Sequence, residues 1–78
     1  RGATPGPAGP VVVAVEPRSP AARAGLEPGD VLLEVNRTPV RTAEEAAAAF
    51  REVPDGGVAL VLLSREGQEL FVTVPRAR

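Results

Sequence analysis

Proline and glycine divide this chain into short segments, and this division limits the elements that it can form. Its 78 residues include 9 Pro and 8 Gly. A chain of this length has room for one hydrophobic core, so a second domain is not expected. The longest unbroken apolar run, Val58 to Leu63, is too short to cross a bilayer. The sequence therefore predicts one small domain built from short helices and strands.

The composition argues against most enzymatic and nucleic-acid-binding functions. The absence of Cys and His removes disulfides, thiolate zinc sites, cysteine nucleophiles and the commonest general base. Its 9 Arg are interspersed with 10 acidic residues, for a net charge of −1. We therefore expect no basic face for nucleic acid or for an anionic membrane, and no membrane insertion.

No set of side chains in the sequence forms a convincing catalytic group. The carboxylates at 44–45 and at 27–30 fall in a predicted helix cap and a predicted turn, which explain them structurally. Ser19 and Ser64 have no His to activate them, so we interpret Ser19 as a helix cap and Ser64 as an exposed strand residue. Metal ligation would depend on scattered carboxylates. We expect this chain to have no enzymatic activity, no metal and no cofactor.

The first third of the chain predicts a strand and a short helix. Arg1 to Pro10 is rich in Pro and Gly without an apolar period, which indicates a linker or a weakly ordered edge. Val11 to Val15 is a β-branched run typical of a strand. Ser19 at the N-cap and Gly25 at the C-cap then frame a short helix over Ala21 to Ala24.

The middle of the chain predicts a turn, a strand and a longer helix. The order Pro-Gly within residues 27–30 favours a type II turn, and the apolar alternation over 31–35 favours a strand. Thr42 followed by Glu45 forms a capping box, which predicts a helix over Ala43 to Val53. One face of this helix is apolar and consists mostly of methyl groups: Ala43, Ala46, Ala47, Ala49, Phe50 and Val53.

The last third of the chain predicts a β-hairpin. Val58 to Arg65 is typical of a central strand, Glu66-Gly67 of a two-residue turn, and Gln68 to Val74 of the antiparallel partner. Together the segments give about five short strands and two helices. The predicted fold class is α+β, mainly β: a small, partly open antiparallel barrel or sandwich capped by the helices.

The segment from Gly25 to Asn36, preceded by Ser-Pro-Ala-Ala at 19–22, resembles the signature of bacterial PDZ domains. The resemblance extends from Val11 to Pro75, because the second helix and the closing hairpin follow the bacterial (permuted) strand order of that family. Within it, Asp30 to Arg37 and Leu70 to Val74 most resemble the second, C-terminal PDZ domain of DegP/HtrA-type serine proteases. This implies a PDZ domain over 11–75, between a linker or edge-strand remnant at 1–10 and a tail at 76–78.

A PDZ domain, as this resemblance implies, binds the free C-terminus of a partner as an added strand beside the longer helix. Ala43, Ala47 and Phe50 match the helix positions that face the peptide in the family. Ala46, Ala49 and Val53 would then pack into the core. Because the two alanines are small, we expect the groove to accept bulky apolar side chains, with Phe50 narrowing the end that takes the terminal residue.

The resemblance is weakest at the edge that would hold the peptide carboxylate. In this family a glycine-containing loop and strand lie upstream of the segment that matches Val11 to Val15. Only residues 1–10 stand there in this sequence. Gly2 and Ala3 are the candidates for a remnant of the loop, with Arg1 as a nearby cation, but the prolines around them cannot donate ladder hydrogen bonds. Either the binding edge is cut or shortened, or the domain does not capture C-termini.

The resemblance implies a non-catalytic peptide-binding module of an extracytoplasmic DegP/HtrA-like serine endoprotease. Its partners would be polypeptide C-termini or unfolded protein segments in the periplasm or cell envelope. The alternative within the same protease is a docking domain that builds or regulates an oligomer. Other possible hosts are a tail-specific protease, an intramembrane metalloprotease or a type II secretion component.

Overall fold

The computed structural model describes residues 9–76, which form one antiparallel sheet and two helices. In chain order the elements are α1 (Pro20–Ala24), β1 (Val31–Val35), β2 (Thr38–Pro39), α2 (Ala43–Arg51), β3 (Val58–Arg65) and β4 (Gln68–Pro75). The order across the sheet is β2-β1-β3-β4, and all neighbours are antiparallel. This mainly β architecture, with an open sheet and two helices, confirms the predicted fold class.

The prediction of a strand at 11–15 is wrong, so the described residues contain four strands rather than about five. The segment makes a single bridge, between Val11 and Val31. Val12 adds hydrogen bonds of 2.7 and 2.8 Å to the backbone of the turn at 27–30. Because the chain just before β1 forms that turn instead of extending the strand, the ladder between the two segments ends after one bridge.

The helix N-caps lie where the sequence predicts them. The Ser19 hydroxyl accepts a hydrogen bond of 3.1 Å from the Ala22 N–H, and Gly25 closes α1 in the left-handed conformation. The second helix begins as expected but ends at Arg51, two residues earlier than predicted. Val53 precedes a proline, whose ring disfavours the helical conformation of the residue before it.

Both predicted turns are present. The Asp30 N–H donates to the Glu27 carbonyl across the 27–30 turn at 3.1 Å, and Gly29 has a φ of 96°, as a type II turn requires. Glu66 and Gly67 both have positive φ and join β3 to β4 in a two-residue hairpin. That geometry matches the twist of the flanking strands, which fixes the register of the hairpin.

The hydrophobic core joins the sheet to α2. The central strand β3 contributes Ala59, Val61 and Leu63, all almost fully buried. Ser64 was predicted to be exposed, but only 7% of its surface is accessible. The prediction failed because β3 lies between two strands, so Ser64 has Val31 on one side and Glu69 on the other. The remaining buried apolar residues are Leu26, Leu32, Val35, Val40, Ala46, Val53 and Val74.

An ion pair between a buried carboxylate and a partly exposed guanidinium ties the turn before β1 to the end of β3. Asp30 is 1% exposed, and Nε and Nη2 of Arg65 both donate to its carboxylate at 2.8 Å. The carboxylate also accepts the Glu27 N–H at 2.9 Å, and Arg65 reaches the Gly25 carbonyl at 2.8 Å. The hydrogen bonds from Arg65 hold the pKa of Asp30 below its usual value, although burial acts in the opposite direction.

Candidate functional site

Helix α2 provides the framework of the candidate site. Its N-terminus is fixed by the Thr42 hydroxyl, which accepts the Glu45 N–H at 3.0 Å. The Glu45 carboxylate accepts the Arg41 N–H at 2.7 Å, one residue upstream of the usual capping-box donor. Acidic residues in the first turn and Arg51 in the last turn complement the helix dipole. The run of alanines between them has high helix propensity, and its small side chains project little from the helix.

The structure divides the apolar residues of α2 into a buried side and an exposed side. Ala46 and Val53 are buried, and Ala49 packs against the core. Ala43 and Ala47 are exposed, and Phe50 is half-buried at the boundary. The helix therefore presents two methyl groups to solvent on the face that leads to the Phe50 ring.

An apolar cavity of about 260 Å³ opens at the Phe50 end of this helix. Its apolar walls come from Val53, Ala59, Val74 and Pro75 together with the Phe50 ring. The guanidinium-bearing residues Arg51 and Arg76 complete the lining. A cavity with such apolar walls suits an apolar side chain.

Arg76 shapes this cavity by binding the end of the helix. Its Nη1 donates to the carbonyls of Arg51 at 2.6 Å, Val53 at 2.7 Å and Phe50 at 3.3 Å. Its Nε lies 3.5 Å from Asp55. The bonds to Arg51 and Val53 satisfy carbonyls without a backbone partner, whereas the Phe50 carbonyl also accepts the Val53 N–H at 3.1 Å. The chain after β4 is thereby held against α2.

A second cavity, of about 410 Å³, lies on another side of α2. The end of β1 and the segment that joins it to α2 line it through residues 35, 36 and 38–40. From the helix, Glu45, Ala48, Ala49 and Glu52 complete the lining. The two carboxylates make this cavity acidic, and neither Ala43 nor Ala47 reaches it. It is thus distinct from the face that the sequence singled out.

The sequence-predicted site is only partly within the described residues. Ala43, Ala47 and Phe50 share one side of α2 as expected, whereas Gly2 and Ala3 lie outside residues 9–76. Ala59, Val74 and Arg76 were not predicted as cavity residues, because they come from β3, from β4 and from the chain after β4. No local pattern in the sequence marks them.

Two further properties concern residues 9–76 alone. Neither of their helices is long and apolar enough to span a membrane. Their acidic side chains form no group of three or more that could hold a metal ion.

Comparison with known proteins identifies PDZ domains and proteases as relatives of this chain. The family model for the PDZ domain matches residues 11–65. The magnetosome formation protease MamE of Magnetospirillum gryphiswaldense is 47% identical over 53 residues, which cover 68% of this chain and 7% of MamE. A probable periplasmic serine endoprotease, DegP-like, of Halomonas elongata is 31% identical over 67 residues, 86% of this chain and 14% of the relative.

Solved structures give the same result. The HtrA-type protease AlgW with decapeptide aligns with a TM-score of 0.78 and 29% identity over 87% of this chain and 21% of that chain. The serine endoprotease from Yersinia pestis aligns with a TM-score of 0.77 and 38% identity over 83% and 24%. The chain thus spans only a small part of the proteases that it matches. It belongs to the PDZ domain family, and its relatives are HtrA- and DegP-type serine proteases.

Proposed function

We propose that this chain is the peptide-recognition module of an HtrA/DegP-like serine endoprotease and that it binds polypeptide C-termini or unfolded segments along α2. The observation that carries the proposal is the exposed face formed by Ala43 and Ala47, which leads to the apolar cavity beside Phe50. PDZ domains bind an extended peptide by strand addition and use pockets for alternate side chains. The helix face would be one wall of such a groove.

The sizes of the side chains support a particular mode of binding. Alanine methyl groups leave room for large side chains where the peptide passes Ala43 and Ala47. The cavity of about 260 Å³ beside Phe50 would take the terminal apolar side chain. The peptide backbone would pair with the segment that contains Gly2 and Ala3, which would also hold the carboxylate.

The charge of the lining residues also supports placing the C-terminal end of the peptide at the cavity beside Phe50. Arg51 and Arg76 are both lining residues of the cavity. The Arg76 guanidinium is bonded to the carbonyls at the end of α2 and paired with Asp55, so the positive charge left for a peptide carboxylate is that of Arg51. A complementary charge of this kind favours a free C-terminus over an internal segment. The acidic cavity on the other side of the helix offers no such attraction.

The host in this proposal is an extracytoplasmic protease whose catalytic domain is a separate part of the protein. The support is that the relatives are named as proteases, several of them periplasmic, and that this chain covers a small share of each. The module would hold substrate polypeptides for cleavage during protein quality control. It would itself contribute binding energy and no catalytic group.

Two alanines on adjacent positions of α2 give a matched test. Ala47 lies on the proposed peptide face, whereas Ala48 lines the acidic cavity. The Ala47→Glu variant should bind a peptide with an apolar free C-terminus at least about tenfold more weakly, since the new side chain fills the groove and places a charge beside apolar groups. The Ala48→Glu variant should retain the affinity, measured by calorimetry.

The two variants carry the same new side chain on the same helix, so a general effect on helix stability would appear in both. Equal loss of affinity in both, or no loss in Ala47→Glu, would contradict the assignment of the peptide face.

A further inference from the structure

The outer edge of β4 is a long row of backbone groups that no described strand pairs. β4 runs from Gln68 to Pro75 and bonds only to β3, because it is the last strand in the order β2-β1-β3-β4. Its pairing with β3 continues without a register shift over all eight residue pairs. The strand therefore contains no bulge over its whole length.

The hydrogen bonds at the end of the hairpin show which residues of β4 face outward. The Arg76 N–H donates to the Gly57 carbonyl at 2.8 Å, and the Gly56 N–H donates to the Arg76 carbonyl at 3.1 Å. Leu60, opposite Thr73, instead exchanges hydrogen bonds with Asn36 on the β1 side. Antiparallel strands alternate in this way, so even-numbered residues of β4 bond to β3 and odd-numbered residues point their N–H and C=O away from it.

The outward-facing residues of β4 form a self-complementary set. They are Glu69, Phe71 and Thr73, followed by Pro75. If a second copy approaches antiparallel with Phe71 opposite its own counterpart, Glu69 lies opposite Thr73. Each of these pairs can then exchange two N–H···O=C bonds. No like charges face one another, because Glu69 meets a threonine.

Other registers are poorer. A shift by two residues in one direction places Pro75, which has no N–H, opposite Glu69. A shift in the other direction places the turn residue Gly67 opposite Thr73. The chemistry of the edge therefore selects the register centred on Phe71.

The two edges of the sheet differ in how they are protected against pairing. The β2 edge has only two residues and ends in Pro39, and the bridge from Val11 covers Val31 beside it. Short strands, prolines, lysines and bulges are the usual devices that block edge pairing. From Gln68 to Val74, β4 has no Pro, Lys or bulge; its one charged residue is Glu69, and α1 packs against the strand. Its central side chain, Phe71, is 59% exposed.

From these observations we infer that two copies of this chain associate through β4, edge to edge and antiparallel about Phe71, to form one continuous sheet. This surface is separate from the proposed peptide face and extends beyond the proposed function. The two Phe71 rings lie side by side across the two-fold axis. We expect a dissociation constant above about 1 µM, because an interface made by one strand edge falls below the roughly 1,200 Å² of standard protein interfaces.

Amide hydrogen exchange of the unmodified chain tests the inference through an alternating pattern. The N–H groups of Leu70, Val72 and Val74 bond to β3 and should be protected at every protein concentration. Those of Glu69, Phe71 and Thr73 should exchange rapidly in dilute solution and become protected as the concentration rises. Rapid exchange at these three positions at all concentrations, with a monomeric mass by sedimentation equilibrium, would overturn the inference.

A charge-swap pair tests the register. The Phe71→Lys and Phe71→Glu variants should each be monomeric, because like charges would meet at the two-fold axis, and an equimolar mixture should restore the dimer. Circular dichroism should show both variants folded, since the side chain is exposed. A mixture that remains monomeric, or either variant dimerising as well as the unmodified chain, contradicts a contact at Phe71.

Cysteine cross-linking gives an independent check, because the chain contains no Cys. Phe71→Cys should form a disulfide-linked dimer on mild oxidation, since opposed residues lie about 5.5 Å apart between Cα atoms, within the range of a disulfide. Val58→Cys, at another exposed position, should cross-link at least about tenfold more slowly. Equal rates would show random collision and would count against the interface. Peptide affinity measured on the same samples separates failure of this interface from failure of the proposed function.

Discussion

Asp30 links the region around α1 and β1 to the end of β3. It is almost fully buried, and its carboxylate accepts hydrogen bonds from two nitrogens of Arg65 and from the Glu27 backbone. Arg65 also reaches the C-cap of α1 through the Gly25 carbonyl. One ion pair thus connects α1, the 27–30 turn and the end of β3.

This contact makes the stability of the fold depend on pH. The folded-state pKa of Asp30 is lower than its ordinary value, so the carboxylate stabilises the fold above about pH 4. That contribution should be lost as the pH falls through the lowered folded-state pKa. Chemical denaturation at a series of pH values should show the free energy of unfolding decreasing on the acid side.

The Asp30→Asn variant should lower the free energy of unfolding near neutral pH by about 1–3 kcal/mol, because it leaves the Arg65 guanidinium without its charged partner. Its stability should also fall less steeply with acid. Glu27→Gln is the control, since the Glu27 carboxylate is mostly exposed and 3.6 Å from Arg65. An unchanged acid dependence in Asp30→Asn would contradict this role.

At the scale of elements, α2 packs against the core with one side and exposes small side chains on the other. Side chains that anchor it to the core occupy one side, with Ala46 and Val53 buried, while the exposed Ala43 and Ala47 leave the other side open. Phe50 lies at the boundary and contributes both to packing and to the cavity. Substitutions at this position should therefore affect stability and binding together.

The two phenylalanines of the chain give a matched comparison. Phe50→Ala should lower the free energy of unfolding by about 1–3 kcal/mol, less than for a fully buried ring because Phe50 is half-buried. Phe71→Ala should cost less than about 1 kcal/mol, since 59% of that residue is exposed. Urea denaturation of both variants checks this, and equal losses would contradict the different burial of the two rings.

The C-terminal end of α2 depends on a residue distant in sequence. Arg76→Gln should lower the free energy of unfolding by about 1 kcal/mol, because the carbonyls at the end of the helix lose a charged donor. The amide protons of Glu52 and Val53, which bond back into the helix, should exchange faster. Arg51→Gln removes a neighbouring charge without removing these bonds. It should leave the exchange rates near those of the unmodified chain.

At the scale of the whole molecule, the features that the sequence predicts correctly are those determined by residues close together in the chain. The caps at Ser19 and Thr42 and the turn at Glu66-Gly67 each depend on residues within a few positions, and all are present. The strand predicted at 11–15 failed because β propensity cannot show whether a neighbouring strand continues alongside it. Pairing is a property of two segments.

The same distinction applies to the candidate site. The exposed and buried sides of α2 follow from helical periodicity, so the positions of Ala43 and Ala47 could be predicted. The contact of Arg76 with the helix end joins residues 23 to 26 positions apart, and Arg65 meets Asp30 35 positions away. Ala59 and Val74 reach the cavity through the register of β3 with β4. Only the assembled fold shows these contacts.

The central claim, that a polypeptide C-terminus binds along α2, can be tested most directly by nuclear magnetic resonance. Isotope-labelled chain is titrated with a peptide that ends in apolar residues, once with a free C-terminus and once amidated. We predict saturable amide shifts at Ala43, Ala47 and Phe50 with the free acid, and much weaker binding of the amide. Shifts that are absent, independent of the carboxylate or centred on Ala48 and Glu52 would contradict the account.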